Sequence, residues 1–148
     1  MRPAGAGVDA KEAKVMTGFS ILVGHLVGDY LLQNDWLANR KVFDAENQLT
    51  HSPLPCLIHV TLYTLASFAA VELANFAAGA EMWPAWAWVI IAVTHWFMDR
   101  YRLAARWMDV IGQRGFKEHM SPWSVIIVDN SIHLLTAWIV ALVVAHLR

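Results

Sequence analysis

The sequence predicts an all-α fold, an integral membrane bundle of four transmembrane helices, and three observations predict it. The 148 residues are 57% hydrophobic and only 16% charged, with a mean hydropathy of +0.42. A soluble domain runs nearer about 45–50% apolar and about 25% charged. Four apolar segments, near 17–38, 53–78, 84–107 and 123–147, each exceed the roughly 20 residues a helix needs to cross about 30 Å of hydrocarbon. None alternates strictly between polar and apolar residues, which argues against the closed barrel that lipid also accepts.

Taken in order, residues 1–15 are rich in Ala, Gly and charge and read as a disordered tail, with Met16 as an alternative start. Residues 16–148 then form one transmembrane domain. The first segment closes on Trp36, and a turn from His51 through Pro55 feeds the second. Trp83, Trp86 and Trp88 open the third segment and Trp107 closes it, while Trp123 opens the fourth. Indoles favour the membrane–water interface, so these positions suit helix ends. Pro53 and Pro84 suit first turns, where no backbone donor is lost. The short repeat described below makes the four helices two tandem hairpins.

The charges are few and segregated. A formal net charge of -1 gives no electrostatic case for nucleic acid. Cys56 is the single cysteine, so no internal disulfide forms. No short apolar core followed by a small-residue cleavage site marks a removable signal, and the first apolar helix would direct insertion. The loops after the first and third segments hold Arg40, Lys41, Arg100, Arg102, Arg106, Arg114 and Lys117, whereas the loop around Glu81 holds no cation. The positive-inside rule puts the basic loops in the cytoplasm and both termini outside. The stretch from Arg100 to Lys117 reads first as this topology signal and also suits anionic lipid headgroups.

Within the apolar segments lies a polar constellation. His25, Asp29 and Gln33 share one face of the first helix, and His95 and Asp99 repeat the spacing in the third. Asp129 and His133 stand in reversed order in the fourth, and the second carries His59. Ionisable groups inside a membrane are costly unless paired, neutralised or wet, which makes them functional candidates. Counted from the cytoplasmic ends, Asp29, His59, Asp99 and Asp129 lie roughly 6 to 9 residues in, and His25, His95 and His133 roughly 10 to 13, one turn deeper. Independent helix–helix hydrogen bonds have no reason to share a depth; one joint site does. The pattern Gly24-His25 through Asp29-Tyr30 returns as Thr94-His95 through Asp99, and Ile58-His59 returns as Ile132-His133, the mark of a parallel repeat with an axis along the membrane normal.

Imidazole and carboxylate together suit a divalent transition metal, zinc first and then manganese or iron. His25, Asp29, His59, His95, Asp99, Asp129 and His133 are the candidate ligands, and Asp29, Asp99 and Asp129 are also candidate bridges or general bases. The same residues would serve a proton or metal conduit, or act only as glue between helices in a structural, holin-like protein. Gln33 reads as a cap or neighbour bond; His51 and His119 as solvated; His146 as terminal; Glu72 as snorkelling from the outer end of helix two.

These residues carry a resemblance. The stretch His25, Asp29, Tyr30, Gln33, Asp35 and Trp36, then His59, Thr94-His95 with Asp99, and Asp129 with His133, resembles a family of small bacterial and phage membrane proteins catalogued as a domain of unknown function. The resemblance covers nearly the whole chain after Met16. More distantly the pattern is similar to inner-membrane proteins labelled membrane-bound metal-dependent hydrolases. It implies a multi-pass protein of the bacterial inner membrane with metal and hydrolytic chemistry. The spacing departs from that of the hydrolases, so no individual catalytic role carries over. The expected activity is hydrolysis of a lipid-linked or phosphate-bearing substrate from the cytoplasmic side. Membrane lipids are the expected partners, and a homo-oligomer is left open.

Overall fold

A computed structural model describes residues 10–46 and 48–148. Among them the chain is all-helical: α1 Ala10–Leu26, α2 Asp35–Ala38, α3 Leu54–Ala78, α4 Ala85–Arg100, α5 Leu103–Val110, α6 Arg114–His119 and α7 Trp123–His146. The four longest form a ring in which α1 packs on α3, α3 on α4, α4 on α7, and α7 back on α1. Helices α1 and α4 therefore occupy opposite corners, as do α3 and α7. Among the described residues two helices, α3 and α7, are long and apolar enough to cross a membrane.

The expected second and fourth segments match α3 and α7 closely, because both are predominantly apolar over their whole length and each starts after a proline. The other two differ. The first segment does not run unbroken to residue 38: α1 passes into a π-helical stretch, Val27–Leu31, and α2 is a separate turn capped by the Asn34 side chain, which accepts from Leu37 N at 3.0 Å. The third ends at Arg100, not 107, because Arg102 takes a left-handed conformation with φ 52. The chain then turns into the amphipathic α5, which buries Ala104 and Met108 against the bundle end. The helix that remains, α4, has 16 residues, about 24 Å at 1.5 Å per residue. At the N-terminus, residues 10–15 belong to α1 instead of the expected tail, and residues 1–9 lie outside the described part.

Two glycines let α1 and α3 meet. A Cβ at Gly24 would stand 2.6 Å from Ser67 Cα, and one at Gly28 would stand 2.8 Å from Tyr63 Cα. The pair forms a small-xxx-small contact, in which missing side chains allow two backbones to approach closely. Gly28 lies inside the π-helical stretch beside Asp29, so this contact also sets the height at which Asp29 faces α3.

The interior is divided along the bundle axis. At the end bearing Glu81, apolar residues fill it, among them Ile21, Val71, Trp88, Ile91, Val140 and Val144. Trp83 and Trp88 stack there with ring centroids 5.3 Å apart and are buried. Glu72 is buried too and does not snorkel: it accepts from Trp83 N at 3.0 Å and from Asn75 Nδ2 at 3.1 Å, closing the turn between α3 and α4. The outer face is the apolar one, with Phe19, Leu65, Leu73, Phe76, Val89, Leu135 and Ile139 exposed.

Candidate metal centre

The other end of the bundle is polar inside. His25 sits in the last turn of α1 and Asp29 in the π-helical stretch; His59 lies near the start of α3, His95 and Asp99 near the end of α4, and Asp129 and His133 near the start of α7. Four helix ends on one side of the ring thus deliver the expected residues to one place. His25, His59, His95, Asp99 and His133 are buried. The i,i+4 pairs act as units, with His25 Nδ1 3.4 Å from an Asp29 oxygen and His95 Nε2 3.2 Å from Asp99 Oδ2.

Four atoms form the closest knot. His59 Nε2 lies 3.1 Å from His95 Nε2, 3.2 Å from Asp29 Oδ1 and 2.9 Å from Asp99 Oδ2. His95 Nε2 lies 3.6 Å from Asp29 Oδ1 and 3.2 Å from Asp99 Oδ2. Ligands at the 2.0–2.2 Å of zinc–nitrogen and zinc–oxygen bonds stand about 3.3 to 3.6 Å apart around a tetrahedron and about 2.8 to 3.1 Å apart along octahedral edges. The five distances, 2.9 to 3.6 Å, run from the octahedral to the tetrahedral spacing, with two at 3.2 Å between them. Among the described residues Asp29 Oδ1, Asp99 Oδ2 and His133 Nε2 are buried without an aligned hydrogen bond, although the His59 nitrogen lies close to both oxygens and the Lys41 ammonium ion-pairs with Asp99 Oδ2. Imidazole and carboxylate lone pairs that converge at such short range, with only the Lys41 ammonium and one shared imidazole proton among them, suit a shared cation.

Among the described residues two groups of side chains offer atoms within metal-ligand reach of one another: Asp29, His59 and His95, and then His95, Asp99 and His133. The second group arises because Asp99 faces both ways, with Oδ2 toward His59 and Oδ1 3.7 Å from His133 Nε2. His133 Nδ1 donates to the Asp129 carbonyl at 2.8 Å, which leaves the Nε2 lone pair of a neutral ring facing Asp99. The Nδ1 atoms of His59 and His95 are buried without a partner among the described residues, so these two rings lack the outer hydrogen bond that metal-bound histidines usually make.

His25 and Asp129 belong to the cluster but stand outside those two groups. Asn130 Nδ2 donates to the Ile126 carbonyl at 2.6 Å and to Tyr30 Oη at 2.7 Å, so its Oδ1 faces His25 and accepts from Nε2 at 2.6 Å. The remaining nitrogen of His25 meets the Tyr63 hydroxyl at 3.2 Å. Both ring nitrogens are engaged, so His25 has no free lone pair to offer an ion. An Asp129 oxygen lies 3.6 Å from His133 Nδ1, on the ring edge away from Asp99.

Beside the knot opens a cavity of about 490 Å³, lined by Asp29, Gln33, Lys41, Asp99, Arg102 and Asp129 with apolar walls from Met98, Ala105, Trp123 and Ile126. By sequence Lys41 is only a topology signal. Its ammonium instead lies 2.9 Å from Asp99 Oδ2 and 3.3 Å from His59 Nε2. Burial pushes its pKa down, but Asp99 and then Asp29 outweigh that and hold it above the ordinary lysine value. Arg100, one residue past Asp99, holds the loop in place: its guanidinium donates to the Lys41 and His51 carbonyls at 3.4 and 2.9 Å, and its own carbonyl accepts from Phe43 N at 2.7 Å. Tyr63 is a further member that the charge pattern does not flag, although it lies four residues after His59 and so on the same face; its ring centroid is 3.8 Å from that of His95.

Fold and site together define an all-helical bundle with a buried histidine–aspartate cluster able to hold a metal ion. The chain belongs to the family described as Protein of unknown function (DUF3307), which it matches over residues 18–148. No curated protein and no solved structure matches it.

Proposed function

We propose that this protein is a four-pass inner-membrane metalloprotein that hydrolyses a phosphate-bearing or lipid-linked substrate from the cytoplasmic side. The observation that carries the metal reading is the convergence of Asp29 and Asp99 on the paired imidazoles of His59 and His95, each carboxylate oxygen lying 2.9 to 3.6 Å from both Nε2 atoms and those two nitrogens 3.1 Å apart. Zinc is the first candidate, on the nitrogen and carboxylate donors, with His133 and the outer oxygen of Asp99 available to a second ion.

The membrane reading is supported by inversion of the usual polarity. Only 39% of the apolar stretch of α3 and 17% of that of α7 is buried within the chain. A core helix of a soluble domain would be mostly buried, and a water-exposed apolar surface on this scale would aggregate. Continuing α1 through its π-helical stretch to Leu31 and α4 from Ala85 to Arg100 gives the other two passes, with α4 short enough to draw its polar end toward the interface. The basic loops lie at the cluster end, so the positive-inside rule puts the site near the cytoplasm and the termini outside. Opposite corners of the ring hold the matching pairs, His25–Asp29 with His95–Asp99 and His59 with His133, as tandem hairpins would arrange them.

For hydrolysis, a bound ion would supply Lewis acidity and a more acidic water. Asp129, at the cavity wall, would accept that proton, while the close contact of Gly28 with Tyr63 keeps the neighbouring Asp29 in register. A through-going conduit is less well supported, because the apolar core around Val71, Ile91 and Val140 closes the path beyond the cluster. The test is turnover of a soluble phosphomonoester and of a phosphatidic acid by zinc-loaded protein. The reading requires turnover that stops on chelation and falls at least a hundredfold in Asp129→Asn. No turnover of either class by metal-loaded protein would reject hydrolysis of phosphate esters.

A further inference from the structure

We propose that Lys41 is a tethered cation that shares the carboxylate cage with the metal ion, opposing its entry and then supplying the contact that holds an anionic phosphate oxygen in the adjoining cavity. The inference rests on the metal reading above and deepens it. Lys41 reaches the cage from a loop and not from a spanning helix, and its side chain is only 14% exposed. A lysine that served only to mark the cytoplasmic side would leave its ammonium in water, since burying an ion is costly unless it is well paired. Here the pairing is with Asp99 Oδ2, the same oxygen that faces His59 and His95. An ion in that knot and the ammonium must draw on one carboxylate, and two cations so close repel one another.

The placement is built in. Arg100 follows Asp99 directly and grips the carbonyl of Lys41, while Lys41 N donates to the Leu37 carbonyl at 2.9 Å. The loop cannot carry the ammonium far, yet the side chain borders the cavity and can turn its tip there. Charge then makes anion binding conditional. Asp29, Asp99 and Lys41 together carry one negative charge, which repels an anion; a divalent ion reverses the sign. At the cavity wall Asp129 and Arg102 offset one another. Phosphate would therefore bind only after the metal, between the ion and Lys41.

The experiment uses the full chain, purified in detergent and stripped of metal, with Lys41→Met and Lys41→Arg beside wild type and Lys41→Gln should the methionine variant not be recovered folded. Zinc affinity is read by competition with a chromophoric chelator. Binding to the zinc-loaded forms is then read with inorganic phosphate and with short-chain phosphatidic acid in mixed micelles. Removing the charge should tighten zinc at least tenfold and weaken phosphate-group binding at least tenfold, while Lys41→Arg stays within threefold of wild type on both. A merely structural lysine would weaken both together. Dependence on Lys41 seen with inorganic phosphate supports the proposal with a free anion as ligand; dependence seen only with phosphatidic acid supports it with a lipid headgroup. If wild type binds zinc and neutral variants bind it equally or more weakly, the proposal fails and the metal reading stands. If wild type takes no zinc, both fall.

Discussion

Gly28→Ala should damage the metal centre without altering any ligand. The added methyl would stand 2.7 Å from Tyr63 Cδ2 and 2.8 Å from Tyr63 Cα, short of optimal carbon–carbon contact by roughly 0.7 Å or more. Backbone cannot rotate away as a flexible side chain does, so α1 must move off α3 by a comparable distance. Asp29 is the next residue and Tyr63 lies one turn beyond His59, so the shift opens the contact of 3.2 Å between Asp29 and His59. Metal sites tolerate about 0.2 Å in ligand distance. Overpacking of this kind costs about 1–3 kcal/mol in stability. Gly18→Ala is the control, since nothing lies within 4 Å of the place its methyl would take and alanine is the better helix former. Zinc competition and thermal unfolding in one detergent read both effects. Gly28→Ala should bind zinc at least tenfold more weakly and melt at a lower Tm, with Gly18→Ala equal to or above wild type. A Gly28→Ala protein that melts and binds like wild type would refute the coupling between helix approach and site geometry.

Other substitutions separate roles within the cluster. His59→Ala and His95→Ala should abolish tight zinc binding, whereas His25→Ala should weaken it only several-fold, because both nitrogens of His25 are engaged by Asn130 and Tyr63; equal losses in all three, by elemental analysis, would return His25 to the ligand set. Glu72→Ala should leave metal content unchanged and lower stability by about 1–3 kcal/mol, as Trp83 N loses its acceptor; chemical denaturation checks it, and an unchanged midpoint would contradict it. Zinc retention should fall as pH drops through about 6, where free imidazoles protonate and can no longer ligate. The Lys41 ion pair adds the opposite limb: its folded pKa is raised, so its stabilisation is full below the ordinary lysine value and is lost as pH rises through the folded one. A pH series of metal content and Tm reads both limbs. Loss of metal only on the alkaline side would overturn the histidine assignment.

The helices that sequence placed well are those whose ends coincide with a change in composition. Residues 54–78 and 123–146 keep a high apolar average despite His59, Asp129 and His133, and each is preceded by a proline, Pro53 or Pro122, so hydropathy and structure agree. The break after Arg100 was hidden because Leu103, Ala104, Trp107 and Met108 continue the apolar average; only the left-handed Arg102 turns the chain, and composition carries no record of that. Leu31, Leu32, Trp36 and Leu37 masked the end of the first helix in the same way. The site was legible because charge inside an apolar run is conspicuous and i,i+4 spacing fixes the face. Tyr63 and the Gly24–Gly28 pair were available to the same reasoning. Lys41 was not, since a loop's path over the bundle end depends on Arg100 binding backbone carbonyls, and no periodicity encodes it. Glu72 reads as an interfacial acid by position, and only the folded turn brings Trp83 N to it.

Metal content with X-ray absorption at the metal edge tests the central claim most directly, on protein purified without chelators and on His95→Ala beside it. Wild type should hold one or two divalent transition ions per chain, ligated by imidazole nitrogen and carboxylate oxygen at about 2.0–2.2 Å, and His95→Ala should hold none. Wild-type protein that takes up no ion when zinc, manganese or iron is supplied, and melts identically with and without them, would contradict the account and leave the cluster as hydrogen bonds between helices.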